Sequence, residues 1–170
     1  LLYQRDFINN KSPIIGTHGM NHEGNSGDMY YKGAWVIHTL RNVLNNDSLF
    51  KSIIKGIAQD FAYQTVDGKG IVDYISTKTN RDFSPFFEQY LGFSAVPILE
   101  YRWAKTKLEL RWKADVLRFS MPVVFNAPKL GEKRVLVTNQ DWNSVQVSKK
   151  DMKSLGFRDD LFLMLTKKVG

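Results

Sequence analysis

Cysteine is missing altogether from the 170 residues. That excludes disulfides and any thiolate metal site, and it fits every cellular compartment. Histidine is scarce: His18, His22 and His38 are the whole supply. No stretch approaches the roughly 18 uninterrupted apolar residues of a membrane-spanning helix, so no span is expected. The first residues, Leu1-Leu2-Tyr3-Gln4-Arg5-Asp6, hold neither an initiator methionine nor a signal-peptide pattern. The chain is therefore expected to be a piece of something longer, and its start says nothing about compartment.

What is present is enough for a folded core. Apolar residues make up 43% and aromatics 13%, which argues against disorder. The net charge of +7 is unevenly placed. Residues 1–96 hold nine Lys/Arg and nine Asp/Glu, whereas residues 97–170 hold fifteen against eight. That asymmetry predicts two units with different surfaces. A basic unit carrying Trp103, Trp112 and Trp142 raises nucleic-acid binding as a possibility. Its lysines are scattered between strands rather than gathered in a stripe, so a solvated basic surface is the preferred reading.

Residues 1–28 open with a short helix or turn at Tyr3 to Ile8. A loop rich in Asn and Gly follows. His22-Glu23 begins like the zinc motif His-Glu-x-x-His, but Ser26 stands where the second histidine belongs. Gly24 and Gly27 also oppose a helix, so these residues are not expected to hold metal. Helices are expected at about Met29–Leu44, capped by Asp28; from Asp47 or Ser48 to Ala62; at Ile71–Thr79, closed by Asn80; and from Ser84-Pro85 onward. Phe50, Ile53, Ile54, Ile57, Ala58 and Phe61 form one face of the second helix and read as core.

After Pro97 the period changes. Ile98–Ala104 and Leu108–Ala114 alternate apolar and polar residues around a turn at Lys105-Thr106. Further strands are expected at Leu117–Phe125, Arg134–Thr138, Ser144–Val147 and Leu161–Thr166. Short strands at this spacing predict a small antiparallel β-sandwich. The fold class is therefore α+β in two units: helical over 1–96, sandwich over 97–170.

The first long helix organises the chain. From Tyr30 to Ile37 only Lys32 is charged, so this helix start is expected to be enclosed. An enclosed tyrosine needs a partner or a task for its hydroxyl. If the chain stands alone, Trp35 and Val36 are expected to be left uncovered and to promote self-association.

Tyr30-x-Lys32-Gly33-Ala34, with His38, Leu40 and Arg41 behind it, resembles a segment of the M1 family of zinc aminopeptidases, which are gluzincins of the thermolysin-like superfamily. Asn45-Asn46-Asp47-Ser48-Leu49-Phe50 resembles that family's turn into the next helix. Arg81-Asp82-Phe83-Ser84-Pro85-Phe86-Phe87-Glu88-Gln89-Tyr90-Leu91 resembles its Asp-x-x-x-Phe-Phe-x-x-Trp-Leu segment, with Tyr90 in place of Trp. Order and spacing agree over about Tyr30 to Pro97. The resemblance implies that residues 1–96 are the C-terminal part of a thermolysin-like catalytic domain, with a β-sandwich domain behind it.

In that family zinc is held by two histidines and a glutamate, and a second glutamate is the general base. A tyrosine donates a hydrogen bond to the oxyanion of the tetrahedral intermediate. The resemblance carries only that tyrosine over, onto Tyr30; Tyr31 is the alternative, and two packed core tyrosines are the plain one. His38 lies about 12 Å beyond Tyr30 along the helix and is expected to be a packed or surface residue. The zinc ligands are expected upstream, in a full-length parent that acts on peptides. The chain alone should bind no metal and hydrolyse nothing. The competing readings are a non-catalytic interaction module and a nucleic-acid-binding domain.

Overall fold

The computed structural model describes residues 2–16 and 27–170. A short 3-10 helix, Leu2–Phe7, precedes four helical segments: α1 Asp28–Leu44, α2 Asp47–Asp60, α3 Gly68–Thr79 and α4 Ser84–Phe87. Strands follow: β1 Ile98–Ala104, β2 Lys107–Lys113, β3 Ser120–Ala127, β4 Gly131–Thr138 and β5 Asn143–Gln146. A short helix α5, Lys149–Ser154, comes before β6 Gly156–Phe157 and β7 Leu165–Lys168. The fold is α+β, with helices first and two small sheets second.

Local chemistry sets the helix ends. Asn45 and Asn80 adopt left-handed φ values of 50° and 51° and close α1 and α3. Asn46, rather than Asp47 or Ser48, caps α2: its Oδ1 accepts the Leu49 N–H at 3.0 Å. Asp28 is not a cap either. Gly27 precedes α1 in the left-handed region, and the Asp28 carboxylate instead accepts the N–H groups of Asn9 and Asn10 at 2.8 and 2.7 Å. The expected apolar face of α2 is only partly core. Ile53 is buried there, whereas Ile54 is exposed and Phe50, Ile57 and Phe61 are half-buried.

Behind α4 the helix widens into a single π turn, Glu88–Gly92. It turns the adjacent residues Gln89 and Tyr90 both inward. Gln89 donates to the Ala95 carbonyl and the Asp115 carboxylate, and its own carbonyl accepts the Asp115 and Val116 N–H groups. Tyr90 donates to the Leu163 carbonyl at 2.7 Å. Two neighbouring side chains thus tie the helices to the strands.

One sheet has the order β5-β2-β1-β7 and the other β4-β3-β6. All pairings are antiparallel except β1 with β7, which is parallel. The sheets touch through Trp112, whose indole N–H donates to the Met121 carbonyl at 2.9 Å, and through the Tyr101–Phe157 ring contact. One hydrophobic cluster runs from Trp35, Leu40 and Tyr90 on the helices to Leu110, Trp112, Phe125 and Phe162 on the sheet side.

The last expected strand is shifted. Phe162, Leu163 and Met164 are buried but lie outside any strand, and β7 begins at Leu165. Three of their backbone groups are already taken. The Leu163 carbonyl accepts from Tyr90, the Leu163 N–H donates to the Thr39 hydroxyl, and the Met164 carbonyl accepts from Arg5. Those groups are lost to a strand ladder, which therefore starts only at Leu165. Helix α5 was also unexpected, although its signal lies in the sequence: Ser148 and Asp151 form a reciprocal capping box at its start.

Candidate active site

The start of α1 is not enclosed at Tyr30, contrary to expectation. Tyr30 is 72% exposed and Met29 45% exposed, whereas Lys32 is 0% exposed. The physical reason is that Lys32 finds acceptors inside. Its ammonium donates to the Phe93 and Ser94 carbonyls at 2.9 and 2.8 Å, just past the π turn. Burial pulls the Lys32 pKa below the ordinary lysine range, and the Asp28 charge one turn earlier offsets part of that.

Asp28 and Lys32 together pin the first turn of α1. Asp28 holds the backbone at Asn9 and Asn10, and Lys32 holds the loop at 93–94. Tyr30 sits between them, and its N–H donates to the Gly27 carbonyl at 2.9 Å. Its hydroxyl makes no hydrogen bond among the described residues. The backbone under this phenol is fixed while the phenol itself stands out in solvent.

Tyr31 differs. It is half-buried, and its ring stacks on Phe7 with centroids 5.2 Å apart. Trp35 and Val36, expected to be uncovered, are buried by the chain itself. Arg5 lies over the Trp35 ring at 5.3 Å, and His38 meets it edge-on. The large apolar side chains that α1 does expose are Met29, Tyr30 and Ile37. His38 is packed, with Nε2 3.1 Å from the Asp160 carbonyl and 3.2 Å from the Asn42 amide.

His18, His22 and Glu23 lie outside the described residues. Among the described residues no three His, Asp or Glu side chains gather closely enough to hold a metal ion. What those residues offer is an exposed phenol on an anchored helix start.

Two helix glycines separate steric need from propensity. A Cβ at Gly33 meets nothing within 4 Å, whereas one at Gly56 collides with the Tyr74 hydroxyl. That hydroxyl donates to Asp60 at 2.8 Å. Gly33→Ala is expected to stabilise the chain by about 1 kcal/mol, the helix-propensity difference. Gly56→Ala is expected to destabilise it by about 1 kcal/mol, because overpacking outweighs the same propensity gain. Urea unfolding midpoints measure both, and shifts of the same sign would contradict this account.

No family model matches the sequence, and no curated protein matches it. Among solved structures the chain is similar to an aminopeptidase A of Legionella pneumophila, determined in complex with aspartic acid. The TM-score is 0.65 at 14% identity, over 85% of this chain and 18% of that one. The likeness shows a fold shared with part of an aminopeptidase. This chain spans less than a fifth of that protein's length.

Proposed function

We propose that this chain is the C-terminal part of a zinc aminopeptidase of the M1 family, a thermolysin-like gluzincin. Residues 1–96 are then the last portion of its catalytic domain and residues 97–170 the β-sandwich domain behind it. The parent removes N-terminal residues from peptides. In it the Tyr30 hydroxyl donates to the oxyanion that forms at the scissile carbonyl. The observation that carries this reading is the unpartnered Tyr30 phenol on a helix start anchored by Lys32 and Asp28. It stands in the Tyr-x-Lys-Gly-Ala segment of a chain whose fold is similar to part of an aminopeptidase.

The zinc is supplied from outside the described residues, where no ligand set gathers. It polarises the carbonyl and activates water when bound. Tyr30 adds a hydroxyl donor near the positive end of α1, where developing negative charge is favoured. The nucleic-acid reading has less support. Arg102, Arg111 and Arg158 of the basic half are each committed to carboxylates, Glu109, Glu100 and Asp160.

The test compares the 170-residue chain with its full-length parent. The parent is expected to bind about one zinc and to release the amine from an aminoacyl anilide in a chelator-sensitive reaction. The short chain is expected to do neither. A parent without a His-Glu-x-x-His segment and without zinc would leave the interaction-module reading in its place.

A further inference from the structure

Six of the eight arginines hydrogen-bond to an acceptor through their guanidinium groups: Arg5, Arg41, Arg102, Arg111, Arg134 and Arg158. The other two, Arg81 and Arg118, make no such bond among the described residues, and both line one cleft. The cleft holds about 200 Å³ between the loop entering α4 and the start of β3. Asp82, Phe83, Pro85, Phe86 and Ser120 complete its wall.

Both arginines are exposed. Arg81 lies over the Phe83 ring at 5.0 Å, which steadies its guanidinium plane without using its N–H groups. Arg118 has a φ of 59°, a left-handed conformation that strains a residue carrying a β-carbon. Glycine or asparagine fills such a turn more cheaply, as Asn45 and Asn80 do elsewhere in the chain. Asp82 does not cancel the pair by contact, because its carboxylate accepts the Ser84 N–H at 2.8 Å. Two guanidiniums against one carboxylate leave the cleft with one net positive charge.

We infer that this cleft is a binding site for a carboxylate carried on a small apolar group. The guanidinium forks match a carboxylate's two oxygens. The single net charge suits a monoanion better than a phosphate dianion. Phe83, Pro85 and Phe86 supply the apolar part of the lining, and Ser120 adds a polar residue to it. The site is separate from Tyr30 and does not rest on the aminopeptidase reading.

Benzoate is the probe, benzamide its neutral isostere and inorganic phosphate the competing oxyanion. Amide chemical shifts of the 170-residue chain are followed at low salt. Saturable benzoate shifts confined to residues 81–86 and 118–120 are expected, with a millimolar Kd. Benzamide should bind about tenfold more weakly, a difference of about 1.4 kcal/mol. Arg118→Gly suits the backbone and keeps the fold, and Arg81→Gln keeps the length of most of the side chain. Each should weaken benzoate about tenfold, whereas Lys153→Ala, on α5, should change nothing. Equal binding of benzamide would overturn the proposal, as would tighter binding of phosphate, shifts spread over the basic half, or no saturation.

Discussion

Tyr30→Phe in the full-length parent is expected to lower kcat on an aminoacyl substrate by about 10²–10³-fold, or about 3–4 kcal/mol. The loss is catalytic because the hydroxyl is spent on nothing else: it has no partner among the described residues, and the ring is largely in solvent. Removing it from an exposed side chain should leave stability within about 0.5 kcal/mol. KM should move little, since the donor is aimed at charge that develops only in the transition state. Zinc content should not move. Tyr31→Phe is the control and should be much milder, because its contribution is the ring stacked on Phe7, which the substitution keeps. A near-normal kcat for Tyr30→Phe would remove Tyr30 from the mechanism. If Tyr31→Phe were the damaging change, the role would belong to Tyr31.

Lys32→Met is expected to destabilise the 170-residue chain by about 2–3 kcal/mol at neutral pH. Methionine matches the stem but leaves the Phe93 and Ser94 carbonyls without their charged donor. The pH dependence separates this from a simple packing defect. Burial holds the folded Lys32 pKa below its ordinary value of 10.5, whereas the unfolded chain keeps that value. Below the folded pKa both states are protonated and the cost of burying the charge is fully present. Between the folded pKa and 10.5 the unfolded chain binds more protons, so stability from this group rises with pH. The gap between wild type and Lys32→Met should therefore widen as pH climbs toward about 10.5. Denaturant unfolding at several pH values measures the gap. A constant or narrowing gap would mean that Lys32 carries no desolvation cost. An unchanged midpoint at neutral pH would mean that the 93–94 anchor contributes nothing.

Much of the architecture is written locally. The change from helical to alternating period at Pro97 marks where strands begin, and β1 runs over Ile98–Ala104 as the alternation predicts. Asn45 and Asn80 close their helices because an Asn side chain tolerates the left-handed region, and no distant residue is needed for that. The Tyr30-x-Lys32-Gly33-Ala34 segment was equally visible, because a motif is a matter of order and spacing. Which of its side chains would be inside was not visible. The apolar run around Tyr30 predicts an enclosed tyrosine, yet Tyr30 is exposed and Lys32 is the buried side chain. Lys32 can be buried because the carbonyls of Phe93 and Ser94, about sixty residues on, come within reach of the ammonium. The same applies to Leu163 and Met164, whose apolar run reads as a strand. Tyr90, Thr39 and Arg5 arrive from the helical part and take their backbone groups first. Periods, caps and turns depend on neighbours a few residues away, so the chain order alone determined them. Burial of a charge and the choice of a backbone partner depend on which distant acceptor or donor arrives, and only the tertiary packing decided those.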